Sequence, residues 1–175
     1  FCPRDQGRLI LYTGCRYGSP IEDYMGSRSE PALSSFVTHL ARKFALQQFV
    51  ETGTFMGNGS AWAAQVFPSV TTIEINDTFR QQAMQAHGHL KAINFLLGDS
   101  VGVLPGVVAA LKGPAFFWLD AHAGGGHFAK EDYCPVLKEL EIIAASPYPH
   151  FIFVDDARAF VAPPPPPFDV DKWPP

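Results

Sequence analysis

Basic charge is scarce in this 175-residue chain: 13 lysines and arginines stand against 17 aspartates and glutamates, for a formal net charge of −4. A nucleic-acid surface needs clustered Lys and Arg to neutralise phosphates, so no nucleic-acid partner is expected and a small molecule is the better default. Long apolar runs are also missing. Hydrophobic residues make up 47% of the chain, yet no stretch approaches the roughly 20 apolar residues that cross a bilayer, so no membrane partner is expected. Cysteine is sparse: Cys2, Cys15 and Cys134 form no Cys-x-x-Cys pair, which favours a reducing compartment, although a Cys2–Cys15 bridge stays open. No charged segment leads into an apolar one near the start, so a targeting segment is expected to be absent or already removed, and the expected location is the cytoplasm.

The length suits one domain with a real core. Residues 1–33 mix Gly, Pro, Tyr and charge without periodicity and read as an irregular lead-in or lid. From Ser34 or Ser35 as N-cap, Phe36, Val37, Leu40, Ala41 and Phe44 recur at helical spacing, and an extended segment begins at Gln48. Further strands are expected near Val70–Ile75, Ala92–Leu97, Ala115–Leu119 and Phe151–Val154. Between them lie helical stretches at Asn58–Phe67, Asp77–His87, Val101–Leu111 and Asp132–Ala145. Pro105 and Gly106 should shorten or kink the third of these. Such βαβα order predicts a doubly wound, mainly parallel α/β sheet with helices on both faces. The wholly apolar Phe116–Leu119 and Phe151–Val154 should be its central strands. The core is expected over residues 34–160. Residues 161–175, with five consecutive prolines at 163–167, form a proline-rich tail that suits neither helix nor central strand.

The most informative segment is Phe49-Val50-Glu51-Thr52-Gly53-Thr54-Phe55-Met56-Gly57-Asn58-Gly59-Ser60, a strand entering a glycine-rich turn and then a helix. Glycines there let backbone approach a ligand closely, although a tight turn without a ligand would look the same. Glu51 decides between ligands. A carboxylate beside a pyrophosphate would repel it, whereas a ligand with an ammonium and a sulfonium would suit it, and S-adenosylmethionine carries both. Glu74 ends the second strand, where a ribose diol would be held. Asp99 and Ser100 follow the third, suited to accept from an adenine amino group or to cap the next helix. Asp120 follows the fourth strand, and Asp155 and Asp156 the fifth. Hard oxygens grouped in this way favour Mg²⁺, while the alternative makes Asp155 or Asp156 a cap or a partner of Arg158.

Together, the Glu-x-Gly turn, the acidic end of the second strand and Gly98-Asp99-Ser100 resemble the motifs of class I, Rossmann-like S-adenosylmethionine-dependent methyltransferases. The likeness spans roughly residues 36–160. It implies that Glu51, Gly53, Gly57 and Gly59 line the methionine end of the cofactor, with Thr54 and Asn58 in the same turn, that Glu74 holds the ribose, and that Asp99 and Ser100 border the adenine. Asp120 would serve both cofactor and catalysis. The three aspartates resemble the Mg²⁺ ligands of the catechol and macrolide-sugar O-methyltransferases, which implies metal ligation by Asp120, Asp155 and Asp156. In catechol-type enzymes a lysine three residues beyond the first aspartate takes the proton, and Ala123 stands there instead. His122 is the nearest replacement, with a reference pKa of about 6.5, and His127 and Lys130 compete with it. Gly124-Gly125-Gly126 reads as a gating loop or a plain linker.

The implied activity is metal-assisted O-methylation of a small hydroxylated acceptor such as a sugar, a polyphenol or a natural-product intermediate. Its rivals are a metal-independent methyltransferase, a non-catalytic binding protein with the cofactor fold, and, more distantly, a nicotinamide-dependent oxidoreductase, disfavoured by Glu51 and by the absence of Gly-x-Gly-x-x-Gly. The family adds an antiparallel strand pair after the fifth strand, and here a proline-rich tail follows, so either the chain is a fragment or the sheet is abbreviated. An open sheet edge is therefore expected, covered by a homo-oligomeric partner, by the N-terminal stretch or by the tail.

Overall fold

The computed structural model describes residues 9–12, 31–121, 135–155 and 157. Within them the chain runs β1 (Leu9–Tyr12), α1 (Pro31–Lys43), β2 (Gln48–Thr52), α2 (Asn58–Ala63), β3 (Ser69–Glu74), α3 (Asp77–His87), β4 (Ile93–Leu97), α4 (Ser100–Ala110), β5 (Ala115–Leu119), α5 (Val136–Ala144) and β6 (Phe151–Val154). The strands form one sheet in the order β1-β6-β5-β2-β3-β4, parallel at every pairing. The chain leaves β2 toward β3 and β4, then crosses back through α4 to place β5 on the other side of β2. This reversal between β2 and β5 is the switch point at which open α/β sheets bind ligands, outside the carboxyl ends of the strands.

Alternation along the strands sorts the core into two layers. Phe49, Val70, Phe116, Trp118 and Phe153 pack under α1 and α2 with Val37, Leu40, Ala41, Ala63 and Phe67. Val50, Ile73, Phe117, Leu119, Ile152 and Val154 pack under α4 and α5 with Leu104, Val108, Val136 and Ile143. The all-apolar β5 is buried at every position because helices cover both of its faces. Aromatic stacking ties the first layer together: the Phe49 and Phe116 rings lie 5.6 Å apart and nearly parallel, and Trp118 lies 5.8 Å from Phe153.

Four expectations differ from the structure. The second helix, α2, ends at Ala63 rather than at Phe67. The lead-in is not wholly irregular, because Leu9–Tyr12 pairs residue for residue with Phe151–Val154 and so covers the outer edge of β6. The first helix starts at Pro31 rather than after Ser34 or Ser35. Proline suits a first helical turn, where its missing N–H has no intrahelical partner to lose. The α4 helix runs unbroken across Pro105; Pro105 and Gly106 are both exposed, so the proline displaces nothing in the core. The tail and residues 122–134 lie outside the described residues.

Candidate active site

The carboxyl ends of the five core strands are knitted together by donors one residue past β2, β4, β5 and β6. Gly53 N–H donates to Ile73 O, Gly98 N–H to Glu74 O, Asp120 N–H to Thr52 O and Asp155 N–H to Leu119 O, at 2.9–3.0 Å. The ladder thereby carries Gly53, Asp99, Asp120 and Asp155 to one edge, together with Glu74.

Under the glycine-rich turn lies a buried polar network. Glu51 is fully enclosed, and its Oε2 accepts from Ser60 Oγ and from Thr72 Oγ1 at 2.7 Å. The register places Glu51 opposite Thr72, which puts that hydroxyl within reach. Thr72 has one hydroxyl proton and gives it to Glu51, so Thr54 Oγ1, 2.6 Å away, must be the donor to Thr72. A carboxylate out of water is costly unless hydrogen-bonded, and this relay supplies the bonds while fixing the start of the loop.

The loop itself needs glycine at two points. Gly53 has φ +83°, and a Cβ there would overlap the carbonyl oxygen of Asp120 and lie 2.7 Å from its carbonyl carbon. Gly57, at φ +78°, precedes α2, and a Cβ would meet Ala83 Cβ at 2.9 Å. Asn58 opens α2 within 3.3 Å of His87 Nε2 through its Oδ1, and Gly59 lies in the same helical turn. Between the glycines Phe55 adopts φ +48°, a left-handed conformation uncommon for a bulky residue. Glu74 holds it there. Glu74 Oε2 accepts from Phe55 N–H at 2.8 Å and Oε1 from Asn76 N–H at 2.9 Å. A carboxylate has about four acceptor positions, so Glu74 retains acceptor capacity for a diol. The Phe55 ring, 47% exposed, meets Phe79 edge-on at 4.9 Å, and these rings with exposed Ile75 make an apolar lip beside Glu74.

Asp99 caps α4, accepting from Val101 N–H at 3.3 Å. Its neighbour Ser100 is 5% exposed, and the Ser100 Oγ has no hydrogen-bond partner among the described residues. A buried hydroxyl without a partner costs about 1–3 kcal/mol, and a ligand acceptor would remove that cost. Asp120 is half-buried and Asp155 buried. No cluster of three metal-ligating side chains occurs among the described residues, which include Asp120 and Asp155 but not Asp156. His122, the glycine run, His127 and Lys130 are likewise outside them.

The edge therefore brings Gly53, Thr54, Gly57, Glu74, Asp99, Ser100, Asp120 and Asp155 to one region and sets Glu51 beneath it. Sequence reasoning missed Ser60, Thr72 and Asn76. Their signals were present: a serine in the first turn after the glycines, a threonine two residues before Glu74 on the same strand face, and an asparagine at the N-cap position of α3, where it accepts from Thr78 N–H at 2.9 Å.

No protein-family model matches the chain, and no curated protein matches it. Solved structures do. The O-methyltransferase TomG from Streptomyces achromogenes, involved in tomaymycin synthesis and solved in complex with SAM, is similar with a TM-score of 0.58 and 20% identity over 79% of this chain. A Klebsiella pneumoniae protein assigned as an O-methyltransferase gives 0.56 and 18% over 87%. A Staphylococcus aureus protein assigned as a caffeoyl-CoA O-methyltransferase gives 0.51 and 19% over 74%. The chain spans 62%, 67% and 58% of their respective lengths. What is shared at this identity is architecture: the chain has the class I, Rossmann-like fold of the S-adenosylmethionine-dependent O-methyltransferases.

Proposed function

We propose that this protein is an S-adenosylmethionine-dependent O-methyltransferase acting on a small hydroxylated acceptor, with a divalent metal, Mg²⁺ by the hardness of its ligands, held by Asp120, Asp155 and Asp156. The observation that carries the cofactor half is Glu74: one carboxylate pins the left-handed Phe55 backbone and keeps acceptor positions for a ribose. Gly53, Thr54, Gly57, Asn58 and Gly59 would bound the methionine end, with the Glu51 charge beneath it. Asp99 and Ser100 would border the adenine, and the Ser100 hydroxyl, without a hydrogen-bond partner among the described residues, fits a ligand acceptor.

The cofactor supplies a methyl group activated by a sulfonium, ready for direct displacement by an acceptor oxygen. The chain's task is then positioning, since holding two reactants in line removes much of the barrier. The acidic edge would favour the sulfonium cation, and a metal ion held by Asp120, Asp155 and Asp156 would supply Lewis acidity that lowers the pKa of an acceptor hydroxyl. His122 would take the acceptor proton. The acceptor class, a sugar, polyphenol or natural-product intermediate, is carried over from the resemblance to the catechol and macrolide-sugar O-methyltransferases.

Methyl transfer to a panel of catechols and sugars, measured after chelation and again with Mg²⁺ restored, tests the proposal. Activity dependent on added metal supports it, and undiminished activity in chelator replaces it with a metal-independent methyltransferase.

A further inference from the structure

Away from the carboxyl edge, α1 and α2 flank a groove of about 740 Å³ whose lining includes Ser35, Thr38, His39, Arg42, Lys43 and Trp62. In a chain of net charge −4, its walls are unusual. Neither helix carries an acidic residue. Arg42 and Lys43 are exposed and make no ion pair among the described residues. Trp62 is half-buried, braced edge-on by Phe49 at 6.4 Å between ring centroids, so it lines the groove as a fixed aromatic surface. Ser35 and Arg42 are about two helical turns apart, roughly 10 Å along α1. A bare phosphate is too small to reach both ends of that span, and a nucleoside phosphate can.

We propose that this groove is a second ligand site, distinct from the methyl-transfer edge, that binds a free nucleotide with its phosphates on Arg42 and Lys43 and its base against Trp62. Arginine grips phosphate through its planar fork and lysine as a point charge. Bases stack on aromatic rings without regard to sequence. His39 and Ser35 lie about one and two turns before Arg42 on α1 and offer hydrogen bonds to the sugar and base. The acidic balance of the whole chain disfavours a nucleic-acid strand, which needs a wider basic surface.

Calorimetry with ADP on the full chain saturated with S-adenosylhomocysteine tests this. Saturable binding is expected, at least about tenfold tighter than inorganic phosphate, weakening with added salt and lost by about tenfold or more in R42A/K43A. Both residues are exposed, so circular dichroism should show an unaltered fold. Trp62→Phe should weaken ADP by a few-fold and remove most of the fluorescence quenching that ADP causes. Four results would overturn the proposal: no ADP binding at millimolar concentration, equal binding of inorganic phosphate, displacement of ADP by S-adenosylhomocysteine, or tighter binding of an oligoadenylate strand than of ADP. The first, second and fourth leave methyl transfer untouched, and the third would place ADP at the cofactor edge and so support cofactor binding, so this site and the proposed activity fail separately.

Discussion

Replacing Gly53 by alanine tests whether the turn is built by close backbone approach. Two costs add. A left-handed φ of +83° is worth about 1–2 kcal/mol against a Cβ-bearing residue. The new methyl would also overlap the Asp120 carbonyl and sit 3.2 Å from Ala121 N, so β2 and β5 must part by roughly 1 Å at the point where Asp120 N–H donates to Thr52 O, weakening a bond worth about 1 kcal/mol. The expected loss is about 3 kcal/mol, in the range reserved for strain and broken networks. Gly102→Ala is the internal control. That glycine lies inside α4 with open space where its Cβ would be, so alanine should stabilise by about 0.5–1 kcal/mol through helix propensity. Urea unfolding of both variants reads the difference as opposite shifts of midpoint. A neutral Gly53→Ala, or two variants shifting the same way, would mean that the turn accommodates a Cβ and is not built by close backbone approach.

Thr72→Val removes one donor from the buried Glu51 carboxylate and leaves Thr54 without its acceptor, so it should cost about 2 kcal/mol in urea unfolding; a cost under about 0.5 kcal/mol would mean the network is not holding the loop. His150, 2% exposed, accepts from Ala115 N–H through Nδ1 at 3.1 Å and bonds Ser146 Oγ through Nε2 at 2.7 Å. His150→Leu strands the Ala115 N–H and removes one bond of Ser146 Oγ, which still accepts from Tyr148 N–H, and should cost about 1–3 kcal/mol by thermal unfolding, with no effect on cofactor affinity once folded. Asp99→Ala should cost about 1 kcal/mol of stability through the lost cap, and a larger fractional loss of S-adenosylhomocysteine affinity than of stability would mark contact with the ligand as well.

How much was legible in the sequence depended on whether period or contact decided each element. The apolar runs 115–119 and 151–154 became β5 and β6 at the expected bounds, because burial on both faces leaves no polar position to blur them. Asp77–His87 became α3 as read, its start fixed by the Asn76 cap. Leu9–Tyr12 was not legible. Four residues carry no period, and what makes them a strand is pairing with β6, some 140 residues later. In the site, the glycines and strand-end carboxylates could be read because turn geometry and position demand those residue types. The Glu74 bond to Phe55 N–H could not, since it depends on a left-handed Phe that no local pattern announces. Nor could the enclosure of Glu51, which follows from its register opposite Thr72.

Isothermal calorimetry with S-adenosylhomocysteine shows whether Glu74 and the turn it pins form a cofactor site. One saturable site is expected on the wild-type chain and at least about tenfold weaker binding in Glu74→Gln, which keeps the size of the side chain but gives up one acceptor oxygen and the charge. Absence of binding to the wild type, or equal affinity in Glu74→Gln, would contradict it.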